Sequence, residues 1–422
     1  MSTPSRPIPS FIPWLVWGVG AVLFGWGWFQ RVAPGVMVDT LMRDFMVGGA
    51  LLGNLSSVYF YTYAISQIPA GLIVDAYGSR RIMVVSALLC TVGGLVFAHA
   101  DGIVAAYVGR MLIGLGAGPT FVIALNLAAG WCPKDRMALL SGLIMSFGVL
   151  GALMGQVPLA WGVEVVGWRA SMYTATLVAL ALCAATWVVL KLPRPAPRST
   201  APAGLGANFK AVLKRRDTWM LTVAGTCTMS IMLTFGGLWA VPWLTQVHGF
   251  DRADAALLIS VNAIGWGIGS PLLGWFSDRL NRRKPPFVAS VTLSVTSFAA
   301  MVYLPDLSST AIYTLLFLQG LGSGGIMLIF TSAHEQFAGG QEGASVGIVN
   351  SGIMVGAATL QPLVGWVLDR NWHGDMEAGA RVYDAAAYEM GFAVLVAGGM
   401  IAVIMGLLLP ETARAAEPGP AD

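Results

Sequence analysis

Gly71-Leu-Ile-Val-Asp75-Ala-Tyr-Gly78-Ser-Arg80-Arg81 decides the fold, because it returns about half a chain later as Gly274-Trp-Phe-Ser-Asp278-Arg279-Leu-Asn281-Arg282-Arg283-Lys284. Each copy follows one long apolar run and precedes another. An acid and a basic cluster between two such runs make a tight, charged turn at a membrane surface. Two copies in one chain mean an internal duplication.

Composition agrees. Hydrophobic residues make up 56% and charged residues 11%, with mean hydropathy +0.72. A soluble domain carries about 25% charged residues. This chain lacks the polar surface such a domain needs, so it spans a membrane many times. Twelve apolar stretches are long enough to cross: 14–40, 50–75, 82–100, 103–130, 137–163, 170–191, 218–246, 253–277, 286–305, 310–335, 344–368 and 387–410. Lipid satisfies no open backbone group, so these stretches must be helices. The alternating segments of a barrel are absent. The expected fold is an all-α membrane protein of twelve transmembrane helices in two pseudo-symmetric six-helix bundles.

The expected divisions are a first lobe over 1–191, a linker over 192–217, a second lobe over 218–410 and a tail over 411–422. The linker opens Pro/Ala-rich, and Asn208 to Arg216 suits a short amphipathic surface helix. The N-terminus has no signal-peptide pattern. Cys90, Cys132, Cys183 and Cys227 are scattered and imply free thiols. The net charge of +3 is small, and no nucleic-acid partner is expected. Most of the 24 Lys and Arg residues fall on the side of the termini, whereas the opposite loops hold Arg43, Arg169, Arg252, Arg370 and Arg381. The positive-inside rule makes both termini cytoplasmic in a plasma membrane, the bacterial inner membrane being the expected one.

With these residues in place, the chain resembles the major facilitator superfamily over nearly its whole length. That family's loop motif runs Gly-x-x-x-Asp-Arg/Lys-x-Gly-Arg-Arg/Lys-Arg/Lys. The first copy keeps Gly71, Asp75, Gly78, Arg80 and Arg81 but has Ala76 and Ser79 at two basic positions. The second keeps Gly274, Asp278, Arg279 and the run Arg282, Arg283, Lys284, with Asn281 in place of glycine. Arg110-Met-Leu-Ile-Gly114-Leu-Gly116 on helix 4 is similar to a second family element, and Gly167-Trp168-Arg169 and Pro410-Glu411-Thr412 are also familiar. The resemblance implies two lobes rocking about a mid-membrane site lined by helices 1, 4, 7 and 10. It also implies gating roles for both loop motifs and buried polar coupling for Arg110, for which packing against carbonyls is an equal alternative. The Gly-Pro element of many drug antiporters on helix 5 is missing. Gln30-Arg31 and Tyr59-Phe-Tyr61-Thr-Tyr63 look like the organic-anion symporter branch, although Gln30 departs from its usual Asp. Aligning Pro34 with Pro242 places Trp239 opposite Arg31, so a second cation is absent and a phosphate ester is disfavoured.

Arg31 is the sharpest chemical signal. A charge inside a spanning helix costs roughly 2.5–3.5 kcal/mol on insertion scales, so it should meet a wet cavity or a partner, and Asp39 is the partner to weigh against substrate. A guanidinium holds a carboxylate through paired hydrogen bonds. Tyr59, Tyr63 and Gln67 recur at helical spacing and share one face. Trp26, Trp28, Trp239, Trp243 and Trp266 are candidate walls. Asn126, Gln156, Asn262, Gln319, Asn350 and Gln361 are polar groups in apolar runs, where helix–helix bonding competes with substrate contact. Asp75 and Asp278 are gate candidates. No carboxylate lies at mid-membrane, so a co-transported proton would travel with an anionic substrate or titrate Asp39, Glu335 or His334.

Enzyme signals fail. Gly114-x-Gly116-x-Gly118 lies in an apolar helix, not after a strand, and His334-Glu335 lacks a second His at metal-binding spacing. No cofactor or metal is expected. The sequence therefore predicts a secondary transporter, functional as a monomer in the lipid bilayer, carrying a small organic anion with protons. The other reading is an efflux carrier for an amphipathic compound, siderophore or drug.

Overall fold

The computed structural model describes residues 11–132, 137–191, 211–336 and 342–412. Their helices make twelve spans. Spans 1 to 6 are Ile12–Val36, Gly49–Tyr77, Ser79–Ala98, Ile103–Trp131, residues 137–166 and residues 168–191. Spans 7 to 12 are Arg216–His248, Arg252–Leu280, Lys284–Tyr303, Ser309–Gln336, Glu342–Arg370 and Ala385–Leu408. Spans 5 and 6 meet at Gly167, whose φ of 81° turns the chain without a side-chain clash. Large apolar side chains such as Leu177, Leu180, Trp187, Ile404 and Leu407 stay exposed, as a lipid-facing rim requires. Two small elements lie on the face opposite the termini, called here the far face. One is the helix Val38–Phe45, which buries Val38, Leu41, Met42 and Phe45 at helical spacing, where the sequence reading let span 1 run on to residue 40. The other is a hairpin, β1 (Met376–Glu377) with β2 (Ala380–Arg381), turning through Ala378 and Gly379 at positive φ.

Spans 1, 4, 7 and 10 are each interrupted. Span 1 tightens into a 3-10 turn over Ala33–Val36, beginning next to Pro34. Span 4 breaks at Gly118-Pro119, and span 10 at Gly324-Gly325. Span 7 loosens into a π segment over Ile231–Trp239, just ahead of Pro242. Proline removes an N–H and crowds the carbonyl four residues back, so regular α-helix fails there. The irregular segments of spans 1 and 7 face each other across the lobes: a Cβ on Gly35 would lie 2.9 Å from the Gly237 carbonyl oxygen. Spans 2 and 11, which run antiparallel, touch so closely that a Cβ on Gly53 would lie 2.6 Å from Pro362 Cα. Glycine at such a crossing admits backbone-to-backbone packing without hydrophobic drive.

Candidate functional site

The site begins with the proline of span 1. Pro34 has no N–H, so the Gln30 carbonyl loses its helical donor. Arg110 of span 4 supplies a replacement, its Nη1 donating to Gln30 O at 2.7 Å. Arg110 is buried and its guanidinium lies 5.0 Å from the Tyr59 ring centroid. The next residue in the same turn, Arg31, is only 3% exposed. Its guanidinium sits 4.3 Å from the Trp28 ring centroid, 5.0 Å from Tyr63, 5.8 Å from Phe60 and 5.9 Å from Tyr59. Cation–π attraction holds it there. No carboxylate among the described residues pairs with it, and its Nε has no hydrogen-bond partner among them. Asp39, the competing partner, pairs with Arg252 instead at 2.5 Å.

Tyr59 and Tyr63 stack with centroids 5.9 Å apart. The Tyr59 hydroxyl donates to Gly27 O at 2.8 Å, so its ring face, not its hydroxyl, serves Arg31. The Tyr63 hydroxyl accepts from Gln67 Nε2 at 3.3 Å. Gln67 Oε1 in turn accepts from Asn350 Nδ2 of span 11 at 2.6 Å. On the other flank Trp28 meets Trp266 of span 8, centroids 5.6 Å apart. The cage therefore lies on the divide between the lobes. Gln156 is buried at the break in span 5, its Oε1 unpartnered among the described residues.

Other candidates lie elsewhere. Trp239 is wholly buried but does not join the cage: its Nε1 donates to Gln361 O at 3.0 Å, while Gln361 Nε2 donates to Leu233 O at 2.9 Å. Trp239 and Gln361 thus tie the π segment of span 7 to span 11. Asn262 and Gln319 bond to each other inside the second lobe, where Asn262 also donates to Leu316 O at 2.9 Å and Gln319 to Ser323 at 2.9 Å and Ser294 at 3.1 Å. Trp243 packs with Phe235 and Phe392 in that lobe's core, Trp26 stacks on Phe29, and Asn126 is exposed.

The far face is held shut by inter-lobe bonds that the sequence did not single out. Asp369, at the end of span 11, accepts from Gly49 N and Ala50 N, both at 2.8 Å, across the divide. These are the first amides of span 2, so a carboxylate of one lobe caps a helix N-terminus of the other. The Tyr383 hydroxyl at 2.6 Å and Arg381 Nη1 at 2.9 Å hold the carboxylate from its own lobe. Burial raises the Tyr383 phenol well above its ordinary value, and the hydrogen bond to Asp369 raises it further, so it stays a donor. Arg252 adds a second inter-lobe tie, donating to Val36 O at 2.6 Å beside its pair with Asp39. The 1–2 connection is also knotted to the 5–6 turn: Trp168 Nε1 donates to Asp44 at 2.8 Å, and Arg169 pairs with the same oxygen.

On the termini face both loop motifs turn at a residue of positive φ, but in different conformations. Gly78 has φ 85° and ψ 138°, whereas Asn281, at φ 50° and ψ 41°, lies in the left-handed helical region. Asparagine tolerates that region better than other side chains, which explains its place in the second copy. Arg283 pairs with Asp278 at 2.5 Å and Glu335 at 2.7 Å, a network inside the second lobe. Arg282 N bonds Ser277 O at 3.2 Å to close the turn, a Cβ on Gly274 would meet no other part of the described residues within 4 Å, and Arg279 lies 5.7 Å from the Trp275 ring centroid. In the first copy, Arg80 is buried and donates to Val189 O, and Arg81 is exposed. The side chains of Gly71 and Asp75 lie outside the described residues.

Comparison with known proteins fits this geometry. The sequence model of the Major Facilitator Superfamily matches residues 15–358 and 227–421. A probable sulfoacetate transporter from Cupriavidus necator is 22% identical over 86% of this chain and 89% of its own. A gentisate transporter from Corynebacterium glutamicum is 24% identical over 87% of this chain and 86% of its own. Among solved structures, a bacterial homologue of the human lysosomal transporter Spinster, in an inward-facing and unoccupied conformation, superposes with a TM-score of 0.76 at 16% identity, over 95% of this chain and 97% of that one. The chain is a multi-pass membrane transporter and not an enzyme, and it belongs to the major facilitator superfamily.

Proposed function

We propose that this transporter carries a small organic anion, bound at Arg31, by alternating access and together with protons. Arg31 carries the reading: it is a guanidinium buried between the lobes, walled by aromatic rings and unpaired with any carboxylate among the described residues. A buried cation without a counter-charge is strongly unfavourable unless a ligand supplies one. Sulfoacetate and gentisate, for which the two relatives are named, are both organic anions, which supports the same class here. Alternating access is supported by an uneven closure. Between described residues, the inter-lobe hydrogen bonds at Asp369, Tyr383 and Arg252 lie on the far face, whereas on the termini side of Arg31 the described residues cross the divide through the Gln67–Asn350 bond. With both termini cytoplasmic, as the basic residues indicate, this is an inward-facing arrangement in a bacterial inner membrane, and one chain suffices for it. Protons enter with the anion in this scheme, since the cage offers no carboxylate.

The test is binding. A thermal-shift screen against organic anions finds a ligand, because binding to the folded state raises apparent stability. Its affinity is then measured for Arg31→Lys and Arg31→Gln. Losing hydrogen bonds to a charged group removes about 1.5–3 kcal/mol, which is about 10- to 150-fold. Unchanged affinity in a folded Arg31→Gln protein removes the organic-anion assignment. Uptake into vesicles with an imposed pH gradient then tests the proton.

A further inference from the structure

Gln67 and Asn350 are amides in apolar spans of opposite lobes, and each is half-buried. They bond to each other at 2.6 Å, and Gln67 bonds the Tyr63 hydroxyl at 3.3 Å. The Tyr63 ring lies under the Arg31 guanidinium at 5.0 Å. A hydrogen-bonded chain thus runs from the Tyr63 hydroxyl through Gln67 to Asn350, one helical turn of span 2 nearer the termini face than Tyr63, with the Tyr63 ring between it and Arg31.

Asn262 and Gln319 show what a packing pair of amides looks like here. Both are buried inside one lobe and both bond to neighbours in that lobe. Gln67 and Asn350 are only half-buried, and Gln67 bonds Tyr63 of its own lobe as well as its partner amide. Their bond crosses the divide, and among the described residues one N–H of Gln67 and the carbonyl and one N–H of Asn350 have no partner. An amide both donates and accepts, so it satisfies a hydroxyl fully but adds no charge for an acid. The acid and the amides are separated by the Tyr63 ring.

We propose that Gln67 and Asn350 are the second recognition point of the site, reading a hydroxyl on the end of the anion remote from its acid. The ligand class is a flat, hydroxylated monocarboxylate: the acid at Arg31, the body against Trp28, Tyr59 and Tyr63, the hydroxyl at the amides. This rests on the organic-anion reading above. A site built to hydrogen-bond a hydroxyl discriminates against the analogue without one, because its own polar groups are then left unpaired.

The experiment compares benzoate with 4-hydroxybenzoate by calorimetry on the purified full chain. The native protein should bind 4-hydroxybenzoate at least ~10-fold more tightly, in keeping with that discrimination. Gln67→Leu and Asn350→Leu should each shrink the preference to within about 2-fold while benzoate affinity moves less than about 3-fold, with Gln67→Met as the alternative if leucine prevents folding. A preference that persists in the folded variants overturns the assignment. So does an equal change for both probes, which marks a gate and not a recognition point. If neither probe binds while other carboxylates bind in an Arg31-dependent way, this assignment falls and the organic-anion reading stands. If no anion binds in that way, both fall.

Discussion

Asp369→Asn should open the far face, and the structure fixes the size of the effect. Only bonds that cross the lobes bias the equilibrium between access states, because bonds within a lobe persist in both. Asp369 makes four bonds, of which those to Tyr383 and Arg381 stay inside the second lobe. The two that count go to Gly49 N and Ala50 N at 2.8 Å. Each is charge-assisted and worth about 1.5–3 kcal/mol in a protein, roughly twice a neutral bond. Asparagine keeps the shape and one acceptor oxygen, so one bond is lost and the other weakened. The open state regains water on the freed groups, which leaves a net bias of about 1.5–3 kcal/mol, or about 10- to 150-fold in the gate equilibrium. Ser57 reports it, because it lies two turns of span 2 below the latch and is wholly buried. In a cysteine-free background, Ser57→Cys should react with an impermeant maleimide added at the far face about 10- to 100-fold faster when Asp369→Asn is present. Arg252→Gln, which cuts a separate inter-lobe tie on the same face, should accelerate it independently. Unchanged labelling in a folded Asp369→Asn protein would refute the latch.

Three further outcomes are expected. Arg110→Leu strands the Gln30 carbonyl, a loss of about 1–3 kcal/mol for a buried acceptor. Pro34→Ala restores the missing N–H, so a double-mutant cycle on thermal or denaturant unfolding should show Arg110→Leu less harmful in that background, and additive effects would contradict the account. Asp44 sets a pH limit. Burial raises its carboxyl, but hydrogen bonds from Trp168 and Arg169 and the charge of Arg169 outweigh that and hold it below its ordinary value. A carboxyl depressed by folding contributes stability that is fully present above its unfolded value of about 3.9 and is lost as pH falls through the folded one. The difference in unfolding midpoint between native protein and Asp44→Asn should therefore be flat from about pH 8 to 5 and close below about pH 4, and a change between pH 7 and 6 would count against this knot. At Asn281, φ 50° predicts that glycine is tolerated and valine costs about 1–3 kcal/mol of stability, read as a lowered unfolding midpoint.

The spans, the duplication and Arg31 are legible in the sequence because each depends on local properties: run length, motif recurrence, a charge in an apolar stretch. The far-face latch is not, because Asp369 reads as an ordinary acid near a helix end and its partners lie 320 and 319 positions away. Nor does the sequence separate Gln67 and Asn350 from Asn262 and Gln319, which differ in burial and in whether the bond between the two amides stays in one lobe. The instructive case is Trp239. Pro34 and Pro242 do mark equivalent breaks, yet the chain resolves them differently. Span 1 tightens to 3-10 geometry and span 7 loosens to π. A π turn closes its hydrogen bond over one more residue than an α turn. Side chains beyond it are therefore rotated from the register that proline alignment assumes, and Trp239 turns toward Gln361 and the start of span 2, away from Arg31. The two lobes also mend their breaks with different groups. Arg110 donates to Gln30 O beside the first proline, whereas the amide of Gln361 donates to Leu233 O within the π segment. The first solution keeps one guanidinium on backbone and leaves the adjacent Arg31 without a carboxylate among the described residues, as the proposed anion site requires. The second uses a neutral amide and puts no charge there. The proposed site is therefore one-sided among the described residues, with its cation on the first lobe, and that asymmetry follows from how each break is repaired and not from the repeat that created the lobes.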